Sequence, residues 1–317
     1  MKDIMNKKVS VVMCTYNGAK FLQEQLDSIL NQTYPIFELV IQDDISTDET
    51  VDIVKDYQKK YNHIHLYVNK QRLGAHPNFL NALEKVSGDY IAISDQDDIW
   101  DLTKIEKQMA CMKDCVLSFS LGKSFGDGVV VDPECRVPNV NALRLLFYPV
   151  IPGHAMLFQK IVFEKIPEQL YKQHAYDSLL AFSAVLFGGV AICPEVLNYH
   201  RRHVNAFSYS KPKNYNKSFF NVLRYVVDGV WNYFSKREKI QSHFFSMYNL
   251  IMLFNPDKSD ELEDAILFSK NMSRGSLLKA SLICYRRRND IFYAKSEDNI
   301  LLKFRALLFP LLCSDYY

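Results

Sequence analysis

Short apolar runs alternate with amphipathic stretches through the first hundred residues. Val9-Ser10-Val11-Val12-Met13-Cys14 is rich in β-branched residues and leads into Thr15-Tyr16-Asn17-Gly18, which has the composition of a turn. Phe21, Leu22, Leu26, Ile29 and Leu30 then recur at helical spacing, and Pro35 closes the segment. Glu38-Leu39-Val40-Ile41-Gln42 predicts a second strand ending in Asp43-Asp44. Ser46-x-x-Glu49 predicts a capping box opening a helix that carries Val51, Ile53, Val54 and Tyr57. A third strand is expected from Ile64 to Val68, and His76-Pro77 opens another helix with proline in its first turn. Gly88-Asp89 turns the chain into Ile91-Ala92-Ile93-Ser94, an apolar run that reads as a buried strand. Strand and helix thus alternate four times through short connections. That pattern demands an α/β fold, with a mostly parallel sheet flanked by helices.

Further on the pattern loosens. From Cys111 to Asn141 it predicts a loop region with one short strand at Val129-Val130-Val131, and Pro152-Gly153-His154 then leads into a strand from Ala155. His174-Ala175-Tyr176-Asp177 heads a helix, where Asp177 also fits a simple cap favoured by the helix dipole. Beyond Tyr209 the lysines 211, 213 and 217 with Pro212 predict a linker. Apolar-periodic stretches over 219–234, 244–254, 262–268, 277–285 and 300–312 predict a helical C-terminal extension. The expected division is therefore a catalytic domain over residues 1–209 and a helical region over 210–317.

The chain has 317 residues, 48% of them hydrophobic, enough for a sizeable core. The net charge of +2 hides an asymmetry. Residues 201–317 hold 19 Lys+Arg against 11 Asp+Glu, whereas residues 1–200 hold 19 against 25. A basic, aromatic-rich second part is compatible with peripheral contact at an anionic membrane, with an oligomer interface, or with a solvated basic face. The seven cysteines form no Cys-x-x-Cys pair, the usage of reduced thiols in a cytosolic protein. Met1 to Lys8 is short and charged and runs straight into a strand, which predicts no signal peptide and a cytoplasmic location, at the inner face of the cell membrane if the basic part binds lipid.

The chemistry concentrates where strands end. Asp95-Gln96-Asp97-Asp98 places three carboxylates within four residues, an arrangement that repels itself unless a cation sits among them. Oxygen ligands of this kind suit Mg²⁺ or Mn²⁺, which share their remaining positions with substrate phosphates. The same residues also fit a solvated acidic turn capping the helix near Asp101. There is no Gly-x-Gly-x-x-Gly after the first strand and no Walker-type Gly-Lys-Ser/Thr, so neither a dinucleotide dehydrogenase nor a P-loop enzyme is supported. Three strand ends, at Thr15-Tyr16-Asn17, at Asp43-Asp44 and at Asp95 to Asp98, converge on one edge of a parallel sheet. An aromatic ring, a carboxylate for a base N–H and a metal carboxylate together suit a nucleoside diphosphate.

These motifs carry a resemblance. Val9 to Gly18, Ser28-Ile29-x-x-Gln32-Thr33, Asp43-Asp44-x-Ser46-Thr47-Asp48, Asn69 to Asn78, Gly88-Asp89-Tyr90 and Asp95-Gln96-Asp97-Asp98-Ile99-Trp100 resemble glycosyltransferase family 2 over residues 8–109. The last motif looks most like rhamnosyltransferase-type members of bacterial polysaccharide assembly. The resemblance implies the GT-A fold and an inverting, metal-dependent transfer from a nucleoside-diphosphate sugar, such as dTDP-rhamnose or a UDP-sugar, to a glycan or lipid-linked glycan. It implies that Thr15, Tyr16 and Asn17 line the nucleoside pocket, that Asp43 or Asp44 reads the base, and that Arg72 approaches base or diphosphate. Asp95 would serve the ribose and donor sugar, and Asp97 the metal. His154 and Tyr176 would lie on the acceptor side, Asp177 would be the base, and His203 would contact metal or phosphate. A sugar-nucleotidyltransferase and a non-catalytic scaffold are the alternatives. The first lacks its Gly-rich, Lys-containing phosphate loop, and the intact acids argue against the second.

Overall fold

A computed structural model describes residues 7–126, 139–148, 151–203, 219–254, 259–292 and 300–312. In chain order the elements are β1 (Val9–Thr15), α1 (Ala19–Leu30), β2 (Glu38–Asp43), α2 (Thr50–Gln58), β3 (Ile64–Val68), α3 (Ala75–Leu83), β4 (Tyr90–Ser94), β5 (Ile99–Trp100), α4 (Lys104–Met112) and β6 (Leu117–Gly126). Then come α5 (Ala142–Leu145), β7 (Met156–Gln159), α6 (Lys160–Glu164), α7 (Glu168–Tyr171), α8 (Tyr176–Phe187) and β8 (Val190–Arg202). The remainder is helical: α9 (Phe219–Ser235), α10 (Arg237–Phe254), α11 (Asp260–Ser273), α12 (Leu277–Arg286), α13 (Arg288–Ile291) and α14 (Ile300–Leu312). The described residues form two compact units: one of 7–126, 151–184 and 188–203, the other of 139–148, 185–187 and everything from 219 onward.

The first unit is built on one eight-stranded sheet of order β3-β2-β1-β4-β7-β6-β8-β5. Strands β3, β2, β1 and β4 run parallel, as the alternation requires, whereas β7 lies antiparallel between β4 and β6. Strands β1, β2 and β4 are buried along nearly their whole length because helices cover both faces, so they read as continuous apolar runs. One core layer joins Val9, Val11 and Met13 to Leu22, Leu26 and Ile29 of α1 and to Ile105 and Met109 of α4. The pairing of Thr15 with Asp43 and of Met13 with Ser94 ends β1, β2 and β4 at one level. The turns that follow them therefore meet at one edge.

Two local expectations are corrected. No capping box forms at Ser46 and Glu49; α2 begins at Thr50, and the Ser46 hydroxyl donates to Asp43 Oδ2 at 2.5 Å. The Asp43 side chain, three residues upstream at the end of β2, takes the hydroxyl that would otherwise cap the helix. The stretch from Cys111 to Asn141 is not only loop: β6 occupies Leu117–Gly126, where alternating Leu117-Ser118-Phe119-Ser120 is buried by pairing with β7 and β8. The expected strand at 129–131, the cysteines 135 and 313 and the 209–217 linker lie outside the described residues. No disulfide joins the five described cysteines.

Candidate active site

The nucleoside side of the edge is a set of turns tied down by two buried carboxylates. Asp43 accepts from Thr15 Oγ1 at 2.8 Å, from Ser46 N at 2.8 Å and from Ser46 Oγ. Asn17, at φ 48°, donates its N–H to Ser46 Oγ and accepts from Thr47 N on its side-chain oxygen. Asp44 accepts from the Asn69 side-chain amide at 2.8 Å, Leu73 N at 2.7 Å and Gly74 N at 2.8 Å. Burial pushes the Asp44 carboxyl up, but these donors and the Arg72 charge outweigh it and hold the group below its ordinary value. Gly74 sits at φ 84°, a conformation that suits glycine and points its N–H at Asp44. The turn so fixed presents Arg72, whose guanidinium lies 3.9 Å from the centre of the Tyr16 ring. Gln96 holds the other side of Tyr16, accepting from its N–H at 2.9 Å and donating to its carbonyl at 3.1 Å. Gly18 leaves room for that carboxamide, since a Cβ there would collide with it.

The acidic loop after β4 meets the end of β8. His203 Nε2 lies 2.7 Å from Asp97 Oδ2, bringing the two expected metal residues together. Burial raises the Asp97 carboxyl and the charges of Asp95 and Asp98 add to the effect, against the hydrogen bond with His203. Behind this pair sits a second group. His154 Nδ1 lies 3.0 Å from Asp95 Oδ2, His200 Nδ1 lies 3.0 Å from Asp98 Oδ1, and the two imidazoles stack at 4.8 Å. One ligand atom from each of Asp95, Asp98, His154 and His200 falls within 4.8 Å of the others.

Asp98 is 0% exposed and also accepts from Asn198 Nδ2 at 2.9 Å and from Arg201 N at 3.1 Å. Burial alone would raise it, but the His200 hydrogen bond and the neighbouring imidazoles bring it down to about 2. Arg201 in turn donates from Nε to the Asp97 carbonyl and from Nη2 to Glu24. Beneath lies buried Lys104, which donates to the His154 carbonyl at 2.7 Å and rests over the Trp100 ring. Burial draws its ammonium down to about 7 against the pull of Asp98 and Asp95.

The chemistry of the donor set fits a divalent cation best at Asp97 and His203. Their ligand atoms face each other with side chains 14% and 20% exposed, whereas Asp98 is enclosed and engaged by three donors. The charges of Asp95 and Asp98 disfavour a charged Asp97, a repulsion that a cation would relieve.

On the opposite flank, α8 begins with Tyr176 and Asp177. Tyr176 packs on His76 and Phe79, with ring centroids 5.7 and 5.0 Å away, and against Gly153. Its phenol is raised by burial and by the charges of Asp95 and Asp177, so it stands within electrostatic reach of both. Asp177 accepts from Ser178 N at 2.7 Å, and burial raises its carboxyl despite that bond and the nearby His76.

All twelve residues singled out from the sequence lie in the first unit, on loops at the β1, β2 and β4 ends or on segments folded against them. Sequence reasoning gave no role to Gln96, Asp98, Lys104, Asn198 or His200. Asp98 was flagged by its place in the acidic run, and His200 by its histidine-rich neighbourhood. Lys104 carries no signal, because nothing local distinguishes a buried lysine from a solvated one.

Residues 10–166 match the model of Glycosyl transferase family 2. An uncharacterized glycosyltransferase of Haemophilus influenzae is 25% identical, over 93% of this chain and 96% of its own length. The dTDP-rhamnosyl transferase RfbG of Shigella flexneri is 38% identical over 32% of this chain and 36% of its own length. The crystal structure of S. aureus TarS 1–349 in complex with UDP-GlcNAc superposes with a TM-score of 0.57 at 17% identity, covering 98% of this chain and 91% of that one. At that identity the likeness concerns the fold.

Proposed function

Because the chain belongs to Glycosyl transferase family 2 through residues 10–166, we propose that it transfers a sugar, with inversion, from a nucleoside-diphosphate donor to a hydroxyl of a glycan or lipid-linked glycan in surface polysaccharide synthesis. The observation that carries the reading is the meeting of Tyr16–Arg72, Asp95 and Asp97–His203 at one sheet edge. A flat aromatic–guanidinium surface suits a base, and converging carboxylate and imidazole suit a diphosphate-bound cation. The likeness to RfbG favours dTDP-rhamnose, and a UDP-sugar is the second candidate.

In this mechanism Thr15, Tyr16, Asn17, Asp43, Asp44 and Arg72 hold the nucleoside, and Asp95, kept in place by His154, orients the ribose and donor sugar. Asp97 and His203 would hold Mg²⁺ or Mn²⁺, which when bound offsets the charge of the departing diphosphate. Asp177 takes the proton of the acceptor hydroxyl, with Tyr176 and His154 shaping the acceptor side. A raised carboxyl is the better base, provided it is ionised at the working pH. Attack from the face opposite the leaving group needs no covalent intermediate.

A thermal-shift screen of TDP-, UDP- and GDP-sugars with and without Mn²⁺ tests the donor, because a ligand of the native state raises the midpoint by mass action. One donor should stabilise the wild type in a Mn²⁺-dependent way and leave Asp97→Ala unmoved. A protein stabilised by no sugar nucleotide, or equally active in EDTA, would refute the reading.

A further inference from the structure

Three helices of the second unit repeat one pattern. In α9 the inward residues are Gly229 and Tyr233, while Val227, Trp231 and Phe234 face out. In α12 Ala280, Ile283 and Cys284 are buried, while Leu278, Leu282 and Tyr285 face out. In α14 Leu302, Ala306 and Phe309 are buried, while Ile300, Phe304 and Leu307 face out. Each outer triplet has i, i+4, i+7 spacing, one stripe along a helix. The stripes are well exposed, reaching 74% at Trp231, 75% at Leu278 and 65% at Ile300. Helix α14 packs against both α9 and α12. At Gly229 the approach is close enough that a Cβ would lie 2.6 Å from Leu312 Cδ2. With their buried stripes packed against neighbours, α9, α14 and α12 each leave an outer stripe uncovered, with α14 adjacent to both of the others.

Monomeric proteins rarely leave so many large apolar side chains exposed on neighbouring helices without a partner. The charges on these helices identify it. Helices α12 and α14 hold Lys279, Arg286, Lys303 and Arg305 and no acidic residue. Asp264 pairs with both Arg286 and Arg287 and Asp290 also meets Arg287, so the positive balance of α12 and α14 rests on Lys279, Lys303 and Arg305. A two-fold contact with a second copy would set this cationic surface against itself. No described helix is long and apolar enough to cross a membrane. We propose that the outer face of α9, α12 and α14 docks on an anionic lipid surface, its aromatic and aliphatic side chains entering the headgroup boundary while the lysines and arginines contact lipid phosphates. The proposal extends the transferase reading, on which it rests only for the idea that the acceptor is lipid-linked.

The test uses the full chain with vesicles of phosphatidylcholine alone or mixed with phosphatidylglycerol. Of the two tryptophans, Trp100 is buried and Trp231 exposed, so a blue shift of emission on adding vesicles reports Trp231 entering the interface. Cosedimentation with the anionic vesicles at low salt, weakened by salt, is expected. Leu278→Asp with Phe304→Asp should reduce it at least about tenfold while donor binding stays unchanged. If that pair disturbs folding, Lys279→Gln with Arg305→Gln should weaken binding to the anionic vesicles alone. No cosedimentation at low salt, or binding indifferent to both variant pairs, would overturn the proposal. Self-association lost in the Asp pair, without vesicle binding, would assign the face to a second copy. Failure of soluble donor binding would count against the transferase reading and leave the vesicle result standing.

Discussion

Asp44→Asn isolates the device that holds the nucleoside side of the site. The carboxylate is 3% exposed and receives three N–H donors, Asn69 and Leu73 on Oδ1 and Gly74 on Oδ2. An asparagine with its oxygen in the Oδ1 position keeps two of them as weaker neutral bonds, and its NH₂ then faces the Gly74 N–H. The lost charge-assisted bond is worth about 1.5–3 kcal/mol and the weakening of the others about 1 kcal/mol more, so the expected destabilisation is about 3 kcal/mol. For a unit of this size that corresponds to a fall of roughly 6–12 °C in midpoint. Urea unfolding followed by Trp100 emission in a Trp231→Phe background reads the first unit alone. Since the folded carboxyl lies below its unfolded value, the stabilisation is complete above the ordinary carboxylate pKa of about 3.9 and is lost as pH falls through the folded value. The gap between wild type and variant should therefore close in acid. Donor affinity should fall too, because the freed turn no longer aims Arg72 at Tyr16. A variant within about 0.5 kcal/mol of wild type at pH 7, with unchanged donor affinity, would refute the assignment of the turn's order to Asp44.

Asp177→Asn should lower turnover by about 10²–10⁴-fold with little change in donor affinity, and should abolish an acidic limb of the rate profile that lies above the ordinary carboxylate range, because burial raises this group. Near-normal turnover would remove it as the base. Asp98→Asn should weaken Mn²⁺ binding about 10–100-fold, since Asp98 holds the β8 end that carries His203. It should also destabilise by about 2–4 kcal/mol, an effect that wanes only as pH falls from about 4 toward 2; calorimetric titration and acid unfolding check both. Glu38→Gln should cost about 1–3 kcal/mol at neutral pH, because Ser10 and Ser87 donate to this buried carboxylate and hold it below its ordinary value despite burial. Denaturation midpoints that stay equal from pH 7 to pH 3 would contradict this.

The sequence by itself determined the parallel half of the sheet. Apolar strands and amphipathic helices alternate in windows short enough for local periodicity to specify each element, and parallel pairing then requires β1, β2 and β4 to end together. It also marked the residues at those ends, because polar and acidic groups terminate apolar runs there. Only the tertiary structure decided which partners those groups take. Asp43 draws Ser46 away from a capping box, and His154 and His200 reach Asp95 and Asp98 from segments more than fifty residues distant. Such pairings depend on β7 and β8 lying beside β4 and β6, an adjacency that periodicity does not encode. The same limit applies to the helical region. Along α12 Leu278 and Leu282 lie outside while Ala280, Ile283 and Cys284 lie within, so apolar residues face both ways. A helix with apolar residues on two sides has two stripes it could bury. The choice falls to whichever neighbours fit against it, and here the small residues let α14 come close.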